Sequence, residues 1–119
     1  MTRLAPEGPS DPTPSAAEVV LTGDLDIASY PQALERVEEA ERHQPPLLVI
    51  DLAALEFVDS TGVRLVLDAD QRARAQGRRV AVRLGTGPAE RVFRMLGLLD
   101  MLDVAPDRDG GPPTGRSTP

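Results

Sequence analysis

Asp59-Ser60-Thr61-Gly62 gathers, in four consecutive positions, the residue types best able to do chemistry in this sequence. A carboxylate and two hydroxyls stand just ahead of an apolar-periodic stretch, where a helix begins. A helix N-terminus offers unpaired backbone N–H groups and the positive end of the peptide dipole, so a phosphate attached there is stabilised. A serine in that first turn is also exposed enough for another enzyme to reach. Asp, Ser and Thr are equally the standard N-cap residues, and one cap contributes about 1 kcal/mol. The tetrapeptide alone therefore leaves two readings open, a simple cap or a modifiable serine.

Other side chains suggest rival chemistries. Asp51 ends a central apolar run, and Asp24 and Asp26 follow an earlier one, the arrangement of a phospho-acceptor aspartate. Such a pocket holds its phosphoryl group with a lysine, and all thirteen basic residues here are arginine. Asp24, Asp26, Asp51 and Asp59 could offer oxygen ligands to magnesium, although carboxylates at loop ends are more simply solvated. The only histidine, His43, sits at a helix end among Arg42, Gln44 and Pro45, and no G-x-S-x-G elbow surrounds Ser60. A serine hydrolase is not supported. Arg72, Arg74, Arg78 and Arg79 read as a solvated outer face, with contact to an acidic partner as the alternative. No metal, cofactor or catalytic residue is expected.

The elements that must position these groups follow from composition and periodicity. The chain has 119 residues, a net charge of −6 and no cysteine, the size of one ordinary domain without thiolate chemistry. The negative balance argues against direct nucleic-acid binding, which needs a basic face. The apolar runs are too short to span a bilayer, and the start MTRLAPEGPS lacks the pattern of a signal peptide. A cytoplasmic location and no membrane association are therefore expected. Eight of the twelve prolines fall in the first and last fourteen residues. Residues 1–14 and 106–119 are expected to be disordered tails around a domain at 15–105.

Within that domain, Glu18–Thr22 reads as a strand, stopped by Gly23. Helical spacing predicts a helix over Ser29–Arg42, closed by Pro45-Pro46. Leu47–Leu52, a continuous apolar run, reads as a central strand. A turn over Ala53–Asp59 leads to a helix at Thr61–Gln76, ended by Gly77. Arg79–Leu84 is the next strand, Ala89–Leu96 a third helix, and LLDMLDV is expected to add one short strand. The alternation defines an α/β domain: a small mixed, partly parallel four-stranded sheet with about three helices.

The run FVDSTGVRLVLDADQRARAQG closely resembles the signature of anti-sigma factor antagonists, members of the STAS (sulfate transporter and anti-sigma factor antagonist) domain family. GDLD at Gly23–Asp26, LLVIDLAALEFVDSTG, and RVFRMLGLL at Arg91–Leu99 resemble further parts of the family pattern in the same order. The resemblance spans Glu18 to Val104. It implies phosphorylation at Ser60, with Thr61 as its neighbour, by a partner serine kinase that doubles as the anti-sigma factor. It also implies a partner switch: the unmodified protein binds the kinase, and the phosphorylated protein lets go until a phosphatase resets it. Asp24, Asp26, Asp59, Ser60, Thr61, Gly62 and Arg64 are the expected partner surface, with roles in transcription regulation of the stress-response or sporulation type. Family members also begin with a strand before Glu18 and end with an amphipathic helix. Those places are held here by a proline-rich segment and DRDGGPPTGRSTP, so the C-terminal helix is expected to be missing. A STAS scaffold or ligand-binding module without a phosphorylation cycle is the alternative.

Overall fold

The computed structural model describes residues 16–107. The expected tails lie outside the described residues, apart from Pro106 and Asp107. Four strands, β1 (Ala17–Val20), β3 (Leu47–Asp51), β5 (Arg79–Arg83) and β6 (Asp103–Val104), form one sheet in the order β1-β3-β5-β6. Every neighbouring pair in it is parallel. Three helices connect the strands: α1 (Tyr30–Glu41), α2 (Ser60–Ala75) and α3 (Pro88–Met95). This is the α/β class expected from the sequence, and the four sheet strands are all parallel to their neighbours. Parallel neighbours require crossovers, which the three helices supply.

Register explains which side chains meet. Val19, Ile50 and Val82 align across β1, β3 and β5, and Leu48 aligns with Val80. All five are buried in one core cluster with Val37 of α1 and Leu65, Val66, Ala69 and Ala73 of α2. Alternation along a strand sends the intervening residues to the opposite face. There Arg83 pairs with Glu18 and with Asp51, whose carboxylate lies 3.1 Å away, and Arg79 reaches Asp103 at 3.1 Å. Asp51 is the one buried charged residue of the described chain, at 3% exposure. Its Oδ1 also accepts from Ala53 N–H at 2.9 Å, so it is built into the strand end.

Two strands were not anticipated. Gly23–Leu25 forms β2, and Leu55–Val58, within the segment expected to be a turn, forms β4. They pair in parallel with each other as a separate two-stranded sheet. Three- and four-residue strands are too short to establish a hydrophobic period of their own. Leu25, Leu55 and Val58 nevertheless join the core, and α3 packs against β4. Small differences at element ends, such as β1 stopping at Val20, fall within the usual one or two residues.

Candidate functional site

The β2–β4 pair sets up the site. Leu25 is in register with Val58, and the Asp59 N–H donates to the Leu25 carbonyl at 3.3 Å. The chain after β4 is thereby fixed beside the chain after β2, which brings Asp24 and Asp26 to the same end as Asp59 and Ser60. Immediately beyond this bond, α2 begins at Ser60, one residue earlier than expected.

Asp59 is the N-cap, with extended backbone at φ −118° and ψ −169°. Its Oδ1 accepts from Thr61 N–H at 2.9 Å and from Gly62 N–H at 3.4 Å. The Asp59 carbonyl accepts from Val63 N–H at 3.1 Å, closing the first helical turn. The carboxylate thus satisfies donors that a helix start leaves without intrahelical partners. Ser60 follows at the first helical position, with its side chain exposed and not engaged in this capping. Thr61 is half-buried. The sequence left Asp59 and Ser60 sharing the two roles of cap and accessible hydroxyl, and the structure divides them: the aspartate caps and the serine is presented.

Gly62 is buried, so it adds no surface of its own to the expected partner face. A Cβ at this position would lie 2.7 Å from Val58 Cγ2 and 2.8 Å from Leu25 Cγ. The glycine lets the first turn of α2 sit directly on β2 and β4, and so fixes the height of Ser60 above the sheet.

Asp26 is likewise occupied by local structure. Its Oδ1 accepts from the N–H groups of Ala28 and Ser29, both at 3.0 Å. Ser29 Oγ accepts from Asp26 N–H at 3.0 Å and donates to the Asp24 carbonyl at 2.7 Å. This ring of bonds shapes the entry to α1. The Asp24 side chain is exposed and forms no hydrogen bond among the described residues.

Arg64 lies one turn after Ser60 on the exposed side of α2. Ser60, Arg64, Leu67 and Gln71 line an open groove of about 840 Å³ whose far wall includes Tyr30 of α1. Tyr30, Leu67 and Gln71 were not among the expected surface residues. The signal was present in the helical spacing from Ser60 through Arg64, Leu67 and Gln71, whereas the approach of Tyr30 depends on how α1 packs beside α2. Exposed Ile27, in the turn after β2, and half-exposed Phe57 of β4 add apolar surface on the β2–β4 side. No group of carboxylates and histidine suited to a metal ion occurs among the described residues. Asp51 belongs to a different strand end, paired with Arg83.

The site is an aspartate-capped, exposed serine at the start of the second helix of a parallel α/β sheet. The family model described as "Mlab, STAS domain" matches residues 10–103, and the chain belongs to the STAS domain family. Among solved structures, it is similar to an anti-sigma factor antagonist from Mycobacterium paratuberculosis at 26% identity, with a TM-score of 0.71 and 80% of each chain covered. It is also similar to the anti-sigma factor antagonist SpoIIAA in its unphosphorylated form, at 23% identity and a TM-score of 0.63. That match covers 79% of this chain and 83% of the other and bears on the fold alone. No helix among the described residues is long and apolar enough to cross a membrane.

Proposed function

We propose that this protein is an anti-sigma factor antagonist that works by partner switching, a cytoplasmic binding protein rather than an enzyme. The observation that carries the reading is Ser60: an exposed hydroxyl at the first position of α2, spared from capping because Asp59 does that work. Its setting in a STAS domain with anti-sigma factor antagonists as structural neighbours supplies the partner class.

In this reading the unmodified surface around Ser60, with Asp24, Asp59, Thr61 and Arg64, binds an anti-sigma factor and releases the sigma factor for transcription. The anti-sigma factor is also a serine kinase. It transfers the terminal phosphoryl group of a nucleoside triphosphate to Ser60 Oγ, the hydroxyl proton is lost, and the nucleoside diphosphate leaves. A phosphatase later hydrolyses the ester and restores the hydroxyl.

Electrostatics suits such a cycle. The phosphate adds about −1.5 to −2 charge at pH 7 to a group that was neutral. Asp59 is adjacent and Asp24 stands at the neighbouring strand end, so a partner shaped around a hydroxyl meets concentrated negative charge. The cap bonds of Asp59 do not involve the serine hydroxyl, which lets the domain stay folded in both states. A coupling of about 1–3 kcal/mol, roughly 5–150-fold in affinity, is enough for a working switch. The test is binding of the anti-sigma factor to the Ser60→Ala and Ser60→Asp variants. The alanine variant is expected to bind like the unmodified protein and the aspartate variant several-fold more weakly; equal affinities would count against the switch.

A second reading, a STAS scaffold or ligand-binding module without a phosphorylation cycle, is favoured by the description of the matching family model, which names a STAS domain and not an antagonist. Retained partner binding by a chain that no kinase modifies at Ser60 would distinguish it.

A further inference from the structure

We propose that Arg64 is the intramolecular receptor for a phosphate carried on Ser60. The inference rests on the reading of Ser60 as the modified residue and adds what that reading lacks, a cation to meet the new charge. The usual receptor at a helix start is the row of unpaired N–H groups. In α2 most of that row is already occupied: Asp59 takes the N–H groups of Thr61 and Gly62 through its carboxylate and that of Val63 through its carbonyl, and only the Ser60 N–H makes no hydrogen bond among the described residues. A phosphate on Ser60 cannot use those donors without displacing the cap, and the Asp59 carboxylate repels it.

Arg64 is placed to fill the gap. Residues four apart on a helix are neighbours on one face, and helical side chains lean toward the N-terminus, so the Arg64 side chain inclines toward the turn that carries Ser60. Both residues line the same groove. Arg72, Arg74, Arg79, Arg83 and Arg94 each hold a carboxylate, whereas Arg64 is exposed and makes no hydrogen bond or ion pair among the described residues. Asp68, one turn further along the groove, does not engage it. The planar guanidinium fork matches two phosphate oxygens at once. Of the charged groups around Ser60, Asp59, Asp24, Asp26 and Asp68 oppose a phosphate, and Arg64 is the cation that shares its groove.

The pairing gives phosphorylation a second effect on a partner. In the unmodified chain Arg64 is available to an acidic group on the partner; in the phosphorylated chain it turns back to its own phosphate. The partner then meets a new anion and loses a cation in one step.

The proposal is tested with phosphoserine installed at position 60 during translation, so that no kinase is required. Titration followed by ³¹P NMR is expected to place the second ionisation of the phosphate about 0.3 unit lower in the otherwise unaltered chain than in its Arg64→Gln variant. The Arg64 Nε–H resonance is expected to shift on phosphorylation, while Arg91→Gln, which changes an exposed arginine on α3, leaves the phosphate titration unchanged. Arg64→Lys, with charge but no fork, is expected to fall between. The same phosphate ionisation with and without the Arg64 guanidinium, together with an unmoved Nε–H signal, would overturn the proposal. Failure of the Ser60 reading would show separately, as undiminished partner binding by the chain carrying phosphoserine.

Discussion

At the scale of single residues, the site depends on a division of labour between neighbours. Asp59 supplies the cap, Gly62 the clearance and Ser60 the exposed hydroxyl, and each makes a different prediction. Asp59→Ala removes the acceptor of two backbone N–H groups and is expected to cost about 1 kcal/mol in urea denaturation. Ser60→Ala is expected to leave stability within about 0.5 kcal/mol, as for an exposed residue outside the packing. Gly62→Ala forces a methyl group to within 2.7–2.9 Å of Val58 and Leu25. It is expected to destabilise by about 1–3 kcal/mol through overpacking, and an unchanged urea midpoint would show that α2 is not seated on β2 and β4 as described. Asp59 and Ser60 were legible in the sequence as residue types, but which of them capped was not. That choice depends on backbone direction, since only Asp59 has the extended conformation that turns its carboxylate back over the helix start.

At the scale of elements, long apolar runs were readable and short paired ones were not. Leu47–Leu52 and Arg79–Leu84 carry enough consecutive apolar residues to identify the central strands β3 and β5, and α1 and α2 announce themselves by helical spacing and by Pro45-Pro46 and Gly77 at their ends. β2 and β4 acquire their identity only from each other, through the register of Leu25 with Val58. This pair escaped the sequence reading, and it places the residues around Asp24 beside the start of α2. The opposite sheet face makes a prediction of its own. Arg83, with its side chain 15% exposed, bridges Glu18 of β1 and Asp51 of β3, and its Nε donates to the Pro106 carbonyl at 2.8 Å. Arg83→Met withdraws a cation from the buried Asp51 carboxylate and is expected to cost about 2–4 kcal/mol. Chemical denaturation of the variant checks this, and a loss below about 0.5 kcal/mol would mean that the three-strand ion pair contributes little.

At the scale of the whole molecule, a small folded unit carries the negative balance: Glu18–Val104 holds fifteen acidic residues and ten arginines. One core cluster joins the sheet to all three helices, and a domain of this size has a stability margin of only about 5–15 kcal/mol. Phe93 of α3 is completely buried, so Phe93→Ala is expected to remove about 3–5 kcal/mol and to lower the thermal midpoint sharply. Ser60, at the rim, is separable from that core, which is what a switch requires if its two states share one fold. Whether this serine is the switch is tested most directly by incubating the unmodified protein with serine kinases of its own genome and mapping the phosphate by mass spectrometry. Phosphate is expected on Ser60, with at least about fivefold weaker binding of the anti-sigma factor by the modified chain; phosphate absent from Ser60, or found on Asp51, would refute the switch.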